Sequence, residues 1–438
     1  MHDRWKPAGK GLWMPRAGGA GPRRYVVAGA GVLGVCLTAR LAAAGAEVML
    51  LEQDQPGQAA TRSSFAWLNS NDKAPRAYHE LNHAGMRAWE ELARDLGGGA
   101  WYRPAGNLEW AVSAAGRAEL AARVRRLRTW GYPARLIGAA EAADLEPSLR
   151  LPDPAPAVAW FPGEGYLLTG PMISDLVDHA VRHGATVITG VPGRVTGFGA
   201  APDSAGPGWT VRTAAGQLIP ADVVVCCAGT QVPRLAELAR AALAGTALAG
   251  VPGAGAVAPV PLVPWASPGA TAPGLVVQAG PAASPGLTRM IHTPGVDLRP
   301  DEGGQVHLEA PDAAVDLHTP DNELRRWAQE LLDRARRVTG VLDGATVTGY
   351  RVCVRPMPAD GQSIVGWLPG APGVYVAVTH SGVTLGAHLA TLIAAELLSA
   401  GQPGDADEAE LAPYRPTRFA GTSVPAAGDP GDREAGGR

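Results

Sequence analysis

Residues 25–52 constrain the fold of this 438-residue chain more than any other segment. An apolar strand leads into a turn with glycines at Gly29, Gly31 and Gly34; a helix follows, then a second strand that ends at Glu52. Gly29 permits the sharp turn, Gly31 leaves room for a pyrophosphate, and Gly34 lets the helix approach the strand. The helix N-terminus suits phosphate, and a terminal carboxylate suits ribose hydroxyls. This pattern predicts a dinucleotide-binding βαβ unit.

Composition and charge narrow the functional class. The chain is 46% hydrophobic with a net charge of −3, which gives no basic surface for nucleic acid. Its four cysteines lie in apolar contexts without metal-ligand spacing, so we expect core thiols, a reducing compartment and no metal. Residues 1–22 lack the apolar core of a signal peptide, and no apolar run reaches transmembrane length. We therefore expect a cytoplasmic protein without an integral membrane segment.

Strands of the nucleotide-binding type recur at the start, middle and end of the chain. The expected fold combines α/β and α+β: a discontinuous Rossmann-like domain with an inserted, mainly antiparallel substrate domain. The Rossmann-like domain is assigned to residues 23–95, 156–245 and 346–402, the substrate domain to residues 96–155 and 246–345, and disordered tails to residues 1–22 and 403–438. Within the Pro- and Gly-rich segment 246–286, two strands are predicted, at Val260–Val263 and Gly274–Gln278.

Three further blocks follow the fingerprint in a characteristic order. They are the polar-aromatic stretch Ser63-Ser64-Phe65-Ala66-Trp67, the apolar strand Val223 to Gly229, and Arg355 to Gly366 followed by His380-Ser-Gly-Val-Thr384. Together with the fingerprint they resemble the D-amino-acid oxidase-like superfamily of flavoproteins, which includes glycine oxidases, sarcosine oxidases and D-amino-acid dehydrogenases. The resemblance covers roughly residues 24–402, and the last block is the most specific.

The resemblance implies an FAD-dependent enzyme. Members of the superfamily move a hydride from the carbon beside an amine to the flavin, and the imine product then hydrolyses. The expected substrate is a small amino acid or secondary amine: a D-amino acid, glycine or an N-methyl amino acid. Electrons would pass from the flavin to oxygen or to an electron carrier. Relatives with covalent flavin use a histidine near the second block or a late cysteine; this chain offers only Cys353 there, so non-covalent FAD is expected.

The same resemblance assigns the cofactor-binding residues. They are expected to be Gly29, Gly31, Gly34, Glu52, Ser63, Ser64, Ala228, Gly229, Ser381, Gly382, Val383 and Thr384. His380 would lie near the flavin, at the turn before a helix. The positive end of that helix suits the negative charge that develops on the flavin pyrimidine. The alternative is that this turn is only a Ser/Thr helix cap.

Arg355 is the principal candidate for substrate binding. It stands before Pro356 at the end of a predicted strand, in a block similar to one that holds the substrate carboxylate in amino-acid-oxidising relatives. A guanidinium matches a carboxylate through two parallel hydrogen bonds. The alternative is a structural ion pair at the strand end. Asp360 is expected to order the turn that follows it, or to contact FAD indirectly, rather than to act as a base.

Four other polar residues receive a structural interpretation. His292 and His307 lie in the inserted sheet, which forms the substrate cavity in this superfamily, and both are expected to be strand-face histidines. Tyr350 is expected to be a core aromatic, with contact to the substrate as the alternative. Lys73 is the sole lysine after residue 10. A lysine helps to activate oxygen in some relatives, but Lys73 lies in no block that matches that role.

Two other functional classes remain open at this point. An NAD-dependent dehydrogenase could use the same fingerprint, although it would need a catalytic lysine, histidine or Tyr–Lys pair beyond the first half, and lysine is absent there. A non-catalytic flavin-binding subunit of a larger complex is the third. The sequence leaves the oligomeric state undetermined.

Overall fold

The computed structural model describes residues 23–200, 208–244, 257–283, 286–310, 312–399 and 409–419. Its helices are α1 Val32–Ala43, α2 Arg76–Asp95, α3 Ala114–Thr129, α4 Ala139–Leu145, α5 Thr169–Arg182, α6 Val232–Leu243, α7 Asp321–Val338 and α8 Gly382–Leu398. Its strands are β1 Arg24–Ala28, β2 Glu47–Glu52, β3 Trp67–Leu68, β4 Tyr102–Arg103, β5 Asn107–Glu109, β6 Arg135–Ile137, β7 Val158–Phe161, β8 Gly165–Leu167, β9 Thr186–Thr189, β10 Val195–Ala200, β11 Trp209–Thr213, β12 Leu218–Ala221, β13 Val223–Cys226, β14 Pro273–Gly280, β15 Met290–His292, β16 Asp297–Pro300, β17 Val306–Glu309, β18 Thr346–Val354, β19 Ile364–Trp367 and β20 Val374–Val378. No described helix is both long and apolar enough to cross a membrane.

A six-stranded sheet in the order β19-β20-β13-β1-β2-β9 contains the fingerprint. All neighbours are parallel except β19 and β20. Tyr25 and Val27 of β1 pack into a core with α1, α5 and α8, while Val26 and Ala28 pack on the opposite side with α6. Because Ala28 is level with both Leu51 of β2 and Cys226 of β13, three strands end together at one edge. Ligands of such sheets bind at that edge.

An eight-stranded sheet forms the second layer, in the order β18-β14-β17-β16-β15-β5-β7-β6. Its neighbouring strands are antiparallel, apart from the parallel pair β15 and β5. The amphipathic helix α7 contributes Leu331, Leu332 and Ala335 to the core that covers one face of this sheet. Two small sheets, β10-β11-β12 and β3-β8-β4, complete the fold. The expected combination of α/β and α+β architecture is confirmed.

Two strands change the predicted division of the chain. Strands β7 and β18 belong to the eight-stranded sheet, although residues 156–245 and 346–402 were assigned to the Rossmann-like domain. Both strands pair with strands of the inserted segments, and this pairing is long-range in sequence. The domain boundary therefore crosses the predicted segments.

Two local expectations differ from the structure. The predicted strand at Val260–Val263 is reduced to one bridge, between Leu262 and Pro358, because the neighbouring prolines supply no N–H for a ladder. Disorder was expected over residues 403–438, but the described residues 409–419 pack on the fold. Tyr414 is buried there, and Arg415 pairs with the buried Glu396 at 2.8 Å. The predicted tail at residues 1–22 lies outside the described residues, as do residues 403–408 and 420–438.

Candidate active site

The fingerprint glycines make a tight connection between β1 and α1. Gly29 has a φ of +106°, and a Cβ on it would lie 2.6 Å from the Cα of Ala228. A Cβ on Gly34 would lie 1.9 Å from the carbonyl oxygen of Gly29. Gly31 differs, because the nearest atom to its Cβ would be Oγ1 of Thr61 at 3.4 Å. Two of the glycines thus serve packing, and the third borders open space.

Glu52 ends β2 beside this turn. Its Oε2 accepts a hydrogen bond from the Ala30 N–H at 2.7 Å, and its Oε1 accepts one from the Asp54 N–H at 3.0 Å. Burial raises the pKa of Glu52, while these backbone hydrogen bonds oppose the shift. The carboxylate is therefore fixed at the wall of a large cavity.

A cavity of about 1060 Å³ extends from the fingerprint to the eight-stranded sheet. This volume is near the upper limit of the range of about 300–1,000 Å³ that is usual for ligand and cofactor sites. The predicted site residues on its walls are Gly29, Gly31, Glu52, Ser63, Ser64, Ala228, Gly229, Arg355, His380, Ser381, Gly382, Val383 and Thr384. Gly34 lies behind the turn and does not line the cavity. Four blocks that are far apart in the chain are thus brought to one space.

The polar-aromatic block forms the middle of the cavity wall. Ala66 has a φ of +58°, and its N–H donates to Oγ of Ser64 at 2.9 Å. Trp67 follows; its ring stacks on that of His292 with 3.9 Å between centroids. Oγ1 of Thr384 donates to the Trp67 carbonyl at 3.0 Å, which ties this block to α8. The backbone bends sharply here, so the aromatic side chain borders the cavity.

Helix α8 directs its N-terminus at the same cavity. The side chain of Ser381 makes no capping hydrogen bond, although Tyr78 donates to its Oγ at 3.2 Å. The Ser381 N–H instead donates to Oγ1 of Thr379 at 3.2 Å. A simple Ser/Thr cap is therefore not what the structure contains. The first N–H groups of a helix have no partner within the helix, and its dipole makes this end attractive to negative charge.

Arg355 lies just beyond β18 and lines the cavity. Its Nε donates to the Ala272 carbonyl at 3.2 Å. Its Nη1 is 3.7 Å from Oε1 of Glu309, too long for a hydrogen bond. A guanidinium carries five N–H donors, and these contacts occupy only part of them. The alternative interpretation, an ion pair with Glu309, is thus present only at a long distance. It leaves N–H donors of Arg355 available for a carboxylate.

His380 and Lys73 border the cavity near Arg355. Burial, together with the charges of Lys73 and Arg355, lowers the pKa of His380 to about 4. His380 is therefore neutral at pH 7. Lys73 lies in no block that matches an oxygen-activating role, yet it lines the cavity wall.

Three titratable residues form one row across the eight-stranded sheet. His292 is opposite Asp297, and Asp297 is opposite Glu309. Directly opposite residues share a face of the sheet, and all three line the cavity. Burial and the charge of Glu309 raise the pKa of Asp297 well above its usual value; burial also raises the pKa of Glu309, and Arg355 opposes that shift. The cavity thus presents an acidic pair next to a permanent cation.

Comparison with known proteins agrees with this arrangement. The family model described as FAD dependent oxidoreductase (DAO) matches residues 24–396. The chain belongs to this family. The FAD cofactor, the enzyme class and the resemblance predicted from the four blocks are confirmed. An NAD-dependent dehydrogenase is not favoured.

Solved structures share the fold of this FAD-dependent oxidoreductase. Glycine oxidase from Geobacillus kaustophilus is 20% identical, with 90% of this chain and 99% of that chain covered and a TM-score of 0.71. Iminodiacetate oxidase from Chelativorans sp. is 21% identical, with 90% and 99% covered and a TM-score of 0.69. L-Proline dehydrogenase from P. horikoshii is 18% identical, with 91% and 98% covered and a TM-score of 0.71. At these identities the likeness shows the fold alone.

The cavity walls of this FAD-dependent oxidoreductase fit a dinucleotide flavin. Gly31 and Glu52 both line the cavity, and we expect a pyrophosphate to approach the backbone at Gly31 and a ribose to bind the Glu52 carboxylate. Oδ1 of Asn69, a buried cavity residue, has no hydrogen-bond partner among the described residues. A buried polar atom of this kind is suited to a ligand. We expect the backbone and side-chain groups that line the cavity to hold FAD without a covalent bond.

Cys353 supports a dissociable cofactor. It lines the cavity, but burial raises the pKa of its thiol to about 12, so the nucleophilic thiolate is scarce at neutral pH. Its Sγ donates to the Ala60 carbonyl at 3.8 Å. Non-covalent binding remains a prediction.

The structural interpretation holds for His307 and Asp360, whereas Tyr350 is half-buried at the surface and is not the core aromatic that was expected. His307 accepts a hydrogen bond at Nδ1 from Arg299 at 2.7 Å and does not line the cavity. Tyr350 donates to Oδ1 of Asp321 at 2.7 Å on the protein surface. Asp360 accepts the Gln362 N–H at 3.0 Å, so it orders the turn as expected. His292 differs from these, because it does face the cavity.

Sequence reasoning missed a buried carboxylate behind the cavity wall. Glu164 is fully buried, and its Oε2 accepts hydrogen bonds from Trp67 Nε1 at 2.9 Å, Asn71 Nδ2 at 3.1 Å and Asn107 Nδ2 at 3.0 Å. Its Oε1 accepts one from the Tyr132 hydroxyl at 2.7 Å. In the sequence it stands in a Gly-Glu-Gly turn between two strands, which carries no signal of these contacts.

Glu164 makes folding stability depend on pH. Burial raises its pKa from 4.5 to about 7, although its hydrogen bonds oppose the shift. The folded state therefore holds the proton more tightly than the unfolded state, so stability falls as pH rises between these values, by about 3 kcal/mol in all. Glu164→Gln should remove this slope from denaturant titrations. Glu146→Gln, at another buried carboxylate that accepts four hydrogen bonds, should keep it; an unchanged slope in Glu164→Gln would contradict the prediction.

Proposed function

We propose that this protein oxidises the C–N bond of a small amino acid or secondary amine, such as a D-amino acid, glycine or an N-methyl amino acid, to an imine. The observation that carries the proposal is the position of Arg355 beside the Asp297–Glu309 pair, in the cavity that also contains the fingerprint. A cation and a carboxylate pair side by side are complementary to a molecule that bears both a carboxylate and an ammonium. The neighbours named for glycine, iminodiacetate and L-proline also act on such molecules.

Arg355 would bind the substrate carboxylate through its remaining N–H donors. The substrate nitrogen enters as an ammonium and must lose a proton before the adjacent carbon is oxidised. Asp297 and Glu309 bind protons more tightly than ordinary carboxylates because they are buried, so an oxygen of this pair can take that proton. When bound, FAD accepts the hydride from the carbon beside the nitrogen.

The N-terminus of α8 would stabilise negative charge on the reduced cofactor. Its dipole acts through the backbone of Gly382 and Val383, which line the cavity. His380 is neutral because burial lowers its pKa to about 4, so it can donate one hydrogen bond without adding a full charge.

An absorption spectrum and an anaerobic titration test this function. The purified protein should show flavin bands, which one member of a panel of D-amino acids, glycine, sarcosine, iminodiacetate and L-proline should bleach. Propionate, which has a carboxylate but no amine, is the matched control and should leave the bands unchanged. Admitting air should then restore the oxidised spectrum quickly if oxygen is the acceptor, and slowly if an electron carrier is.

Two results would contradict the proposal in different ways. A yellow protein that no amine on the panel bleaches would keep the cofactor and overturn the substrate class. Bleaching by an amine of the same size without a carboxylate, at equal efficiency, would overturn the role of Arg355 alone.

A further inference from the structure

The buried Glu164 carboxylate is connected to the cavity through two of its donors. Trp67 lines the cavity and stacks on His292. Asn107 donates to Glu164 with its Nδ2, and its Oδ1 lies 2.7 Å from Nδ1 of His292. Glu164 itself does not line the cavity. Any influence of Glu164 on a bound molecule therefore passes through Trp67 or through Asn107 and His292.

These contacts define which nitrogen of His292 carries its proton. An ionised carboxylate only accepts hydrogen bonds, so it holds the NH₂ group of Asn107 and leaves the amide oxygen for His292. That oxygen needs a donor, and Nδ1 must therefore be protonated. Burial lowers the pKa of His292 to about 3, so the ring carries a single proton at neutral pH.

Nε2 of His292 is then a hydrogen-bond acceptor at the cavity. No described residue is a hydrogen-bond partner for this nitrogen, while Nδ1 is occupied by Asn107. His292 is 6% exposed, and its ring stacks on that of Trp67, which restricts its rotation. In the cross-strand row, the neighbour of His292 is Asp297, at the acidic end of the cavity. The amine of a substrate would lie at this end, and its carboxylate at Arg355.

We propose that Glu164 is a positioning residue: through Asn107 it holds His292 in the Nδ1–H form, so that Nε2 accepts a hydrogen bond from an N–H of the substrate amine. This inference rests on the proposed amine oxidation and narrows its substrate class. The reacting, neutral nitrogen must keep an N–H, so primary and secondary amines are accepted and tertiary amines are disfavoured. Sarcosine and N,N-dimethylglycine, which differ by one methyl group, form the matched pair of probes.

Glu164→Gln is the informative substitution because it keeps the shape and removes the acceptor-only character. Glutamine places its oxygen among the same N–H donors but lacks the charge that strengthens their hydrogen bonds. The Asn107 amide is then held less firmly and can reverse to offer its NH₂ group to His292. Nε2 of His292 would then carry the proton and repel an N–H donor. Glu146→Gln is the control, since Glu146 is also buried and accepts four hydrogen bonds but does not line or contact the cavity.

The tautomer can be measured without any substrate. Nitrogen-15 NMR of the FAD-loaded protein, labelled at its ten histidines, separates the two neutral forms, and His292→Asn identifies the signal. At about pH 8, above the Glu164 pKa of about 7, His292 should be in the Nδ1–H form in the native protein and in Glu146→Gln. Glu164→Gln should shift it towards the Nε2–H form. The same tautomer in all three proteins would overturn the positioning role.

A kinetic cycle then tests the consequence for the substrate. Glu164→Gln should lower kcat/KM for the active substrate about tenfold, mainly through KM, as expected for loss of one hydrogen bond to the substrate. His292→Asn keeps an N–H donor for Asn107 but has no Nε2. In this background, adding Glu164→Gln should not lower kcat/KM further. The preference for sarcosine over N,N-dimethylglycine should also shrink. Equal losses in both backgrounds would show that Glu164 acts on the fold in general. A panel on which nothing bleaches the flavin would overturn the proposed function, and the tautomer comparison would still decide the role of Glu164.

Discussion

Replacing Arg355 with methionine is expected to lower kcat/KM for an amino acid substrate by about 100- to 1,000-fold, which is about 3–4 kcal/mol. The guanidinium lies 3.7 Å from Glu309 in the cavity wall, and it has N–H donors beyond the one that binds the Ala272 carbonyl. Methionine fills similar space and cannot bind a carboxylate. Steady-state kinetics with the active amino acid would measure the loss.

The decisive comparison uses the corresponding amine without a carboxylate. Native protein and Arg355→Met should oxidise this amine with similar kcat/KM, because the lost contact does not exist for it. Arg351→Met is the matched control: Arg351 is exposed on β18, the strand that precedes Arg355, and does not line the cavity, so its substitution should change neither reaction. Equal losses for both substrates in Arg355→Met would instead indicate that Arg355 serves mainly to neutralise Glu309.

Local patterns predicted those parts of the fold in which neighbours in sequence are neighbours in space. The βαβ unit around Gly29 follows from strand and helix periodicity together with the positions of the glycines. The order of the eight-stranded sheet was beyond this reasoning, because β18 pairs with β14 across a long stretch of chain. The strand predicted at Val260–Val263 was wrong because of a proline. The apolar pattern indicated a strand, but Pro261 has no N–H to donate to a neighbouring strand.

The candidate site also contains residues that local sequence patterns predict and residues that they do not. Blocks with their own sequence pattern, such as the turn before α8, could be placed in advance, and they meet at the cavity. The row of His292, Asp297 and Glu309 could not, because cross-strand register decides which side chains share a face. His292 was interpreted as a structural histidine for that reason. Glu164 had no sequence pattern that could identify it, since its four donors come from three separate segments of the chain.

Gly31→Ala and Gly34→Ala should separate cofactor binding from packing within one turn. A Cβ on Gly31 would meet only Oγ1 of Thr61, at an ordinary contact distance of 3.4 Å, but it would occupy space where a pyrophosphate approaches. A Cβ on Gly34 would lie 1.9 Å from the Gly29 carbonyl oxygen, so the helix would have to move away from the strand. Gly31→Ala should therefore weaken FAD binding, and Gly34→Ala should destabilise the folded protein.

The expected outcomes are opposite in the two assays. For Gly31→Ala, the thermal midpoint of the FAD-free protein should stay at the native value while the FAD dissociation constant rises at least about tenfold, or about 1.4 kcal/mol. For Gly34→Ala, the FAD-free protein should already lose about 1–3 kcal/mol or more, as for an overpacked core, and FAD binding should fall with it. Fluorescence titration with FAD and thermal unfolding of both forms would measure these quantities. If Gly31→Ala bound FAD as tightly as the native protein, the open space beside Gly31 would not be the path of the pyrophosphate, and the assignment of the fingerprint turn to the cofactor phosphates would be wrong.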